Sequence, residues 1–158
     1  MVWRVTRIYV DTSVFGGCFD PEFADPSRRL FDQVRAGRFT LVTSPLVQAE
    51  IAPAPSTVVE LFDEMAALAE LINVDEEALQ IQAAYLNARI VSPAYATDAL
   101  HVALATVGQC RVLASWNFKH IVHFQKIPLY NAINVTAGYD PIAIHAPHEV
   151  VQYEDQDV

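Results

Sequence analysis

Four polar residues stand where an α/β protein concentrates its chemistry, at or just beyond the ends of predicted strands: Asp11, Glu50, Asp98 and Asn117. Asp11 directly follows the β-rich run Val5–Val10, and Glu50 lies in the helical segment after the run Phe39–Thr43. The carboxyl ends of parallel strands share one edge of a sheet, and ligands bind in the crevice there. We therefore expect these four side chains to converge.

The three acids of this set fall on sides of the chain that should pack rather than face water. Leu46 lies one turn before Glu50 on the same helical face, and Asp98 introduces the almost wholly apolar segment Ala99–Val107. No Arg or Lys is adjacent to any of these acids in the sequence, so local ion pairs do not account for them. A divalent cation would relieve their mutual repulsion, and oxygen-only ligands suit Mg²⁺ or Mn²⁺.

Such a cation lowers the pKa of a bound water and neutralises charge that develops on a phosphate during an in-line displacement. The sequence leaves open whether one or two metals bind. It also leaves open a structural explanation for each acid: Asp11 as a loop or cap residue, Asp98 as a helix N-terminal charge, and Glu50 as an ordinary helix residue.

The elements that must position these residues alternate between strands and helices. The strands are predicted at Val5–Val10, Phe39–Thr43, Leu71–Val74, Arg111–Ser115 and Leu129–Val135. Helical segments between them predict an α/β fold with a mainly parallel sheet and helices on both faces. We expect one domain over residues 1–147 and an acidic, flexible tail over residues 148–158.

Composition narrows the classes of function. With 158 residues, 53 % of them apolar, the chain can bury one substantial core, and no apolar run reaches the roughly 20 residues of a membrane helix. The N-terminus makes a poor signal peptide, and Cys18 and Cys110 have no metal-type spacing, so we expect a cytoplasmic protein with two buried thiols. A net charge of −9 argues against sequence-blind binding to nucleic acid but not against an acidic metal site.

Other phosphate-handling classes fit poorly. A haloacid-dehalogenase pattern needs an Asp two residues after Asp11, where Ser13 stands. A receiver domain needs an acidic pair before the phospho-accepting Asp and a later Lys, and neither is evident. The glycine-rich dinucleotide and P-loop motifs are absent from the sequence.

Four blocks of the sequence, in order, resemble the signature of PIN domains, above all of VapC-type toxins: Tyr9-Val10-Asp11-Thr12-Ser13, Ser44-Pro45…Glu50, Ala96-Thr97-Asp98-Ala99-Leu100…Ala103-Leu104-Ala105 and Ser115-Trp116-Asn117-Phe118-Lys119-His120. The resemblance covers about residues 5–135. It implies a doubly wound three-layer α/β/α sandwich and Mg²⁺- or Mn²⁺-dependent cleavage of RNA phosphodiester bonds. It also implies a homodimer that a small antitoxin holds inactive.

By this resemblance, Asp11, Glu50 and Asp98 match the three main acidic metal-site positions of the family. Asn117 falls at or near a fourth catalytic position that is often Asp, and a second metal would bind more weakly to its neutral amide. Ser13 matches a small hydroxyl position that supports the acidic cluster. The acidity of the chain and Asn117 leave an alternative hypothesis: a catalytically weak or inactive PIN-like metal-binding module that acts through partner binding.

The candidate RNA contacts are basic residues around one predicted helix and near the mouth of the site: Arg28, Arg29, Arg35, Arg38 and Lys119. A solvated helix face explains the arginines equally well. Trp116 and Phe118 could stack on bases, but in so apolar a chain we expect both in the core. His101 lies one turn after Asp98 and could make a hydrogen bond to a metal ligand, but we expect it to pack in the core. His120 could contact phosphate, but we expect a structural role for it.

Overall fold

A computed structural model describes residues 5–151, which form a three-layer α/β/α fold around a five-stranded, all-parallel sheet. The strands are β1 Thr6–Val10, β2 Phe39–Thr43, β3 Glu70–Leu71, β4 Val112–Ala114 and β5 Ala143–His145. The helices are α1 Thr12–Gly17, α2 Ala24–Arg35, α3 Pro45–Ile51, α4 Ser56–Ala66, α5 Glu76–Asn87, α6 Ala96–Val107, α7 Ile127–Thr136 and α8 Pro147–Val150. The predicted fold class is confirmed.

The sheet changes its direction of growth beside β1. The strand order is β3-β2-β1-β4-β5, so the chain adds β2 and β3 on one side and later β4 and β5 on the other. The carboxyl ends of β1 and β4 therefore border the topological switch point, where connections leave in opposite directions and open a crevice. Asp11 and Ser115 are the first residues beyond these two strands.

Local sequence explains the elements around this point. β1 ends in three fully buried apolar residues, Ile8–Val10, as expected of a central parallel strand. α3 begins after Ser44, whose Oγ accepts a hydrogen bond from the Val47 N–H, with Pro45 as the first helical residue. α6 is rich in Ala, Leu and Val and buries residues on most of its faces, so it packs tightly in the interior.

The last predicted strand, Leu129–Val135, is wrong, because this run lies inside helix α7. The buried residues of α7 are Tyr130 and Asn134, one helical turn apart, and Pro128 stands in its first turn. A short apolar run cannot by itself distinguish a buried strand from a buried helix. The fifth strand is β5, whose residues pair in parallel with β4.

The predicted tail boundary falls inside packed structure. Helix α8 includes the first residues of that tail and contacts α2, and Val151 is buried. Residues 152–158 lie outside the described residues. The capping pattern supports α8, because the Glu149 carboxylate accepts a hydrogen bond from the Ala146 N–H at 3.1 Å.

Both cysteines are buried free thiols. Burial raises the pKa of Cys18 to about 11 and that of Cys110 to about 12. Within residues 5–151, no helix has the length and apolar character needed to cross a membrane.

Candidate functional site

Asp11, at the carboxyl end of β1, is 4 % exposed. Its Oδ1 accepts a hydrogen bond from the Ser13 hydroxyl and its Oδ2 accepts one from the Ser115 hydroxyl, both at 2.6 Å. Backbone N–H groups fix these hydroxyls in turn: Trp116 donates to Ser13 Oγ and Asn117 donates to Ser115 Oγ, each at 2.9 Å. The loop that follows β4 is therefore tied to both oxygens of the Asp11 carboxylate.

The Asp11 carboxylate is shielded from water, but its charge is not neutralised by a neighbouring Lys or Arg of residues 5–151. Burial raises the pKa of Asp11, the charge of His101 and the hydroxyls of Ser115 and Ser13 oppose that rise, and the charge of Glu50 adds to it. No Lys or Arg of residues 5–151 lies within ion-pair distance of Asp11. A buried carboxylate in this state is costly unless a cation joins it.

Glu50 is held by a chain of hydrogen bonds that begins in the core. Its Oε1 lies 2.9 Å from Thr12 Oγ1 and 2.5 Å from Nε2 of the buried His101. His101 Nδ1 lies 2.9 Å from the Tyr9 hydroxyl, which lies 2.9 Å from Ser44 Oγ. Because a carboxylate only accepts, Nε2–H of His101 donates to Glu50, and the Tyr9 hydroxyl links Nδ1 of His101 to Ser44. Partial burial alone would raise the pKa of Glu50, but His101 and Thr12 bring it below its ordinary value.

Asp98 stands apart from the coupled Asp11–Glu50 pair. It is half-buried in the first turn of α6, and its charge acts on His120, whose pKa is lowered by burial and raised in part by Asp98. Among the residues that the structure describes, no three His, Cys, Asp or Glu side chains are grouped closely enough to hold a metal ion. The structure thus couples Asp11 with Glu50 but does not assemble all three predicted carboxylates into one group.

The donor chemistry of the Asp11–Glu50 pair nevertheless fits a hard divalent cation. A carboxylate offers about four lone-pair sites, and each Asp11 oxygen accepts one side-chain hydrogen bond. The described side chains and backbone donate to Oε1 of Glu50 but not to its Oε2. Mg²⁺ commonly binds through one or two carboxylates and keeps several waters, so it does not require a third protein ligand.

Asn117 serves the geometry of the loop after β4. Its Oδ1 accepts a hydrogen bond from the His120 N–H at 2.9 Å, and its own N–H donates to Ser115. The side chain thereby caps the turn that follows the site. A catalytic role for Asn117 stays a prediction, and its side chain would act from this capping position.

The predicted RNA-contacting arginines are exposed, but most of them already have partners within the protein. Arg28 donates to a backbone carbonyl, Arg29 pairs with an acid one turn away, and Arg35 pairs with two acids. Arg38 is exposed. The Nζ of Lys119 lies 5.7 Å from the centre of an aromatic ring in the loop region next to the site.

The sequence did not predict the role of Ser115 in the site, and for His101 it favoured core packing over a hydrogen bond to a metal ligand. Ser115 follows β4 just as Asp11 follows β1, so the strand-end rule that selects Asp11 could also have selected Ser115. His101 was expected to have a structural role, and only its contacts show that its ring reaches Glu50. Phe118 is 49 % exposed, so its predicted core placement is wrong, whereas Trp116 is half-buried and stacks on Phe23 at 4.2 Å between ring centroids.

Solved structures with similar folds are toxin–antitoxin proteins. VapBC2 from Rickettsia felis, bound to a DNA fragment from its promoter, is 15 % identical with a TM-score of 0.58, covering 88 % of this chain and 97 % of that one. FitAcB from Neisseria gonorrhoeae is 15 % identical with a TM-score of 0.57, covering 90 % and 99 %. VapC20 from Mycobacterium tuberculosis, a toxin that cleaves the sarcin–ricin loop, is 14 % identical with a TM-score of 0.55, covering 86 % and 98 %.

No protein-family model matches the sequence, and no curated protein matches it. The structural likenesses show that the chain has the PIN-domain fold of the VapC type. At such low identity they concern the fold, so the argument for function must come from the site.

Proposed function

We propose that this protein is a Mg²⁺- or Mn²⁺-dependent endoribonuclease and the toxin of a toxin–antitoxin pair. The observation that carries the proposal is the state of Asp11, a buried carboxylate held by the hydroxyls of Ser13 and Ser115 and coupled to the negative charge of Glu50. A buried carboxylate beside a second, more exposed one at a topological switch point favours a bound cation over solvent. The VapC-type fold supports RNA as the substrate.

When bound, a divalent cation supplies an activated water and offsets charge on the RNA phosphate. The protein's own residues orient the ligands: Ser13 and Ser115 hold both oxygens of Asp11, while His101 and Thr12 hold Glu50. These donors are fixed before substrate arrives, so little reorganisation is needed during the reaction.

Asp98 and Asn117 are proposed to complete the catalytic site from its other side. Asp98 opens α6 and acts on His120, and Asn117 caps the turn that contains His120. The two residues therefore flank the same loop. A half-buried acid with fewer fixed contacts than Asp11 suits a ligand that engages when the cation and RNA are present together.

The deciding experiment is cleavage of a structured RNA by the purified protein with Mg²⁺, with Mn²⁺ and with a chelator. We expect cleavage with either metal, none with chelator, and a loss of about 100- to 10,000-fold in Asp11→Asn and Asp98→Asn, as for removal of groups that act on the reacting atoms. Equal activity in the wild type and both variants would mean a contaminating nuclease. An inactive wild type that still binds Mn²⁺ would favour the metal-binding module.

A cognate antitoxin is a proposed partner, because solved structures of this fold include toxin–antitoxin complexes. A second copy of the chain is proposed from the family resemblance alone. We expect induction of the wild type in a bacterial host to arrest growth, and we expect Asp11→Ala to relieve the arrest. Harmless expression of antitoxin-free wild type, at a protein level equal to that of the variant, would contradict the toxin assignment.

A further inference from the structure

An exposed aromatic and cationic surface lies beside the candidate site. It consists of the exposed residues Tyr95, Phe118 and Lys119, backed by the half-buried His120, and is called the aromatic surface below. Tyr95 is 38 % exposed, and its ring stacks on the His120 ring with 3.8 Å between centroids and 28° between planes. Lys119 Nζ lies 5.7 Å from the centre of the Tyr95 ring. A cation and several π-faces are thus presented together.

The covalent chain places the aromatic surface next to the proposed metal ligands. Phe118 comes three residues after Ser115, whose hydroxyl donates to Asp11. Tyr95 comes three residues before Asp98, in the turn that leads into α6. The surface therefore joins the Asp11 side of the site to the Asp98 side.

The loop that carries this surface is fixed before any ligand binds. Asn117 Oδ1 caps the N–H of His120, and the Tyr130 hydroxyl donates to the His120 carbonyl oxygen at 2.7 Å. Ile121, the next residue, is fully buried. A ligand that stacks here would not bear the entropy of ordering the loop, which favours binding.

The charge of the segment between Asp98 and Asp140 suits binding of a polyanion, although the net charge of the whole chain does not. The chain carries a net charge of −9, yet no Asp or Glu occurs between Asp98 and Asp140. Lys119 and Lys126 lie within that acid-free stretch. RNA phosphates therefore meet less repulsion here than at the acid-rich parts of the sequence.

The ring of His120 forms the inner support of the aromatic surface. Both of its nitrogens are buried, and neither has a hydrogen-bond partner among the described residues. Buried polar atoms of this kind are rare and costly in native proteins. Because these nitrogens are enclosed, His120 supports the Tyr95 ring from beneath and does not itself contact the base.

We propose that the aromatic surface binds an unpaired RNA base, stacked on Tyr95 and Phe118, while Lys119 contacts a neighbouring phosphate. This inference rests on the proposed function for the identity of the polymer. Stacking on aromatic side chains requires a base that is free of its duplex, so the surface selects single-stranded segments and not paired ones. It would thereby deliver an unpaired segment to the acids beside it.

The test is fluorescence anisotropy with a labelled single-stranded RNA and with the same RNA in a duplex, in chelator so that no cleavage occurs. We expect Tyr95→Ala to weaken single-strand binding about 5- to 100-fold, the usual effect of losing one stacking side chain. Tyr95→Phe keeps the π-face and should bind like the wild type. Duplex binding should not change in either variant.

A matched control comes from Phe19, which is 45 % exposed and has the Arg28 guanidinium 5.9 Å from its ring centre. Phe19→Ala should leave single-strand affinity unchanged. Equal losses in Phe19→Ala and Tyr95→Ala would overturn the proposal, because binding would then be unspecific. Unchanged affinity in Tyr95→Ala would also overturn it and would leave a protein partner as the occupant.

The outcome is separable from that of the cleavage assay. If the wild type cleaves RNA but Tyr95→Ala binds and cleaves normally, the inference fails and the ribonuclease stands. If single-strand binding depends on Tyr95 but no metal supports cleavage, the aromatic surface stands and the ribonuclease fails. In both cases, a fold check by circular dichroism confirms that each variant is native.

Discussion

The two ends of strand β1 differ in whether their charged side chains have partners of opposite charge. At the amino end, Arg7 pairs with Glu70 and donates to the carbonyl oxygen of Gly108 at 2.9 Å, beside a cavity of about 1170 Å³. At the carboxyl end, Asp11 has no cationic Lys or Arg partner within residues 5–151, and serine hydroxyls hold it instead. The same strand thus carries a satisfied ion pair at one end and an unneutralised acid at the other.

The end of β1 that borders the large cavity is not the end that carries the candidate chemistry. The amino end has space, but its Arg–Glu pair has already met its electrostatic requirement and is partly exposed. At the carboxyl end Asp11 is buried, and its charge and that of Glu50 repel each other. The candidate site is therefore distinguished by the unneutralised charge of its carboxylates and not by the volume of a neighbouring cavity.

The largest contrast should appear when one glutamate is neutralised at each end. We expect Glu50→Gln to weaken Mn²⁺ binding by more than about 100-fold, beyond the usual cost of losing an outer partner of a metal ligand. Glu70→Gln, the matched change at the far end, should leave affinity unchanged. Calorimetric titration measures both. Equal Mn²⁺ affinity in Glu50→Gln and wild type would remove Glu50 from the proposed site.

A smaller loss is expected from the residue that orients Glu50. His101→Gln should lower Mn²⁺ affinity about 10- to 100-fold, as for other outer partners of metal ligands. Tyr9→Phe removes only the far end of the same hydrogen-bond chain and should lower affinity less. If both variants lose thermal stability but neither changes Mn²⁺ affinity, then His101 is structural and does not position Glu50.

Asp11→Asn should increase stability at neutral pH in the absence of metal. The pKa of Asp11 is raised in the folded protein, so the folded state loses stability as the pH rises above the unfolded value of 3.8 towards the raised one. Asn does not ionise and so removes that loss. The stabilities of the two proteins should converge at acidic pH, where Asp11 of the wild type is protonated in both the folded and the unfolded state. Melting temperatures measured across pH in chelator test this. A variant that melts lower than the wild type at neutral pH would contradict it.

The smallest effect belongs to the exposed ion pair at the amino end. Glu70→Gln should cost about 0–1 kcal/mol of the free energy of unfolding, the usual range for a surface pair. Arg7 retains its hydrogen bond to the Gly108 carbonyl in that variant. Urea denaturation would reveal the difference, and a cost of several kcal/mol would show that this end of the sheet is less solvated than its exposure indicates.

Much of the fold followed from hydrophobic patterning and helix caps. The strands that flank the switch point were predicted close to their observed bounds, because Ile8–Val10 and Leu113–Ala114 are buried in continuous apolar runs. Leu129–Val135 failed because burial on one side of a helix and burial in a sheet give similar short apolar runs. β5 was missed because only Ile144 of its three residues is buried, so it forms no continuous apolar run.

The sequence predicted which residues lie near the site, but not which side chains contact one another there. The strand-end rule selected Asp11. Helical spacing predicted that Glu50 faces the packed side, but Glu50 is exposed and only its Oε1 reaches the buried His101. No local pattern could show that His101 would bridge Tyr9 and Glu50, because those three residues meet only after the sheet and α6 pack together. Long-range hydrogen bonds of this kind are set by the assembled fold.

The two buried cysteines have a practical consequence. Because burial keeps the Cys18 and Cys110 thiols protonated and shielded, they should react slowly with alkylating reagents, and native protein should tolerate labelling chemistry. Phe124 is 90 % exposed. Phe124→Cys would therefore give a single reactive handle, so that a dye could report on ligand arrival without replacement of either natural cysteine.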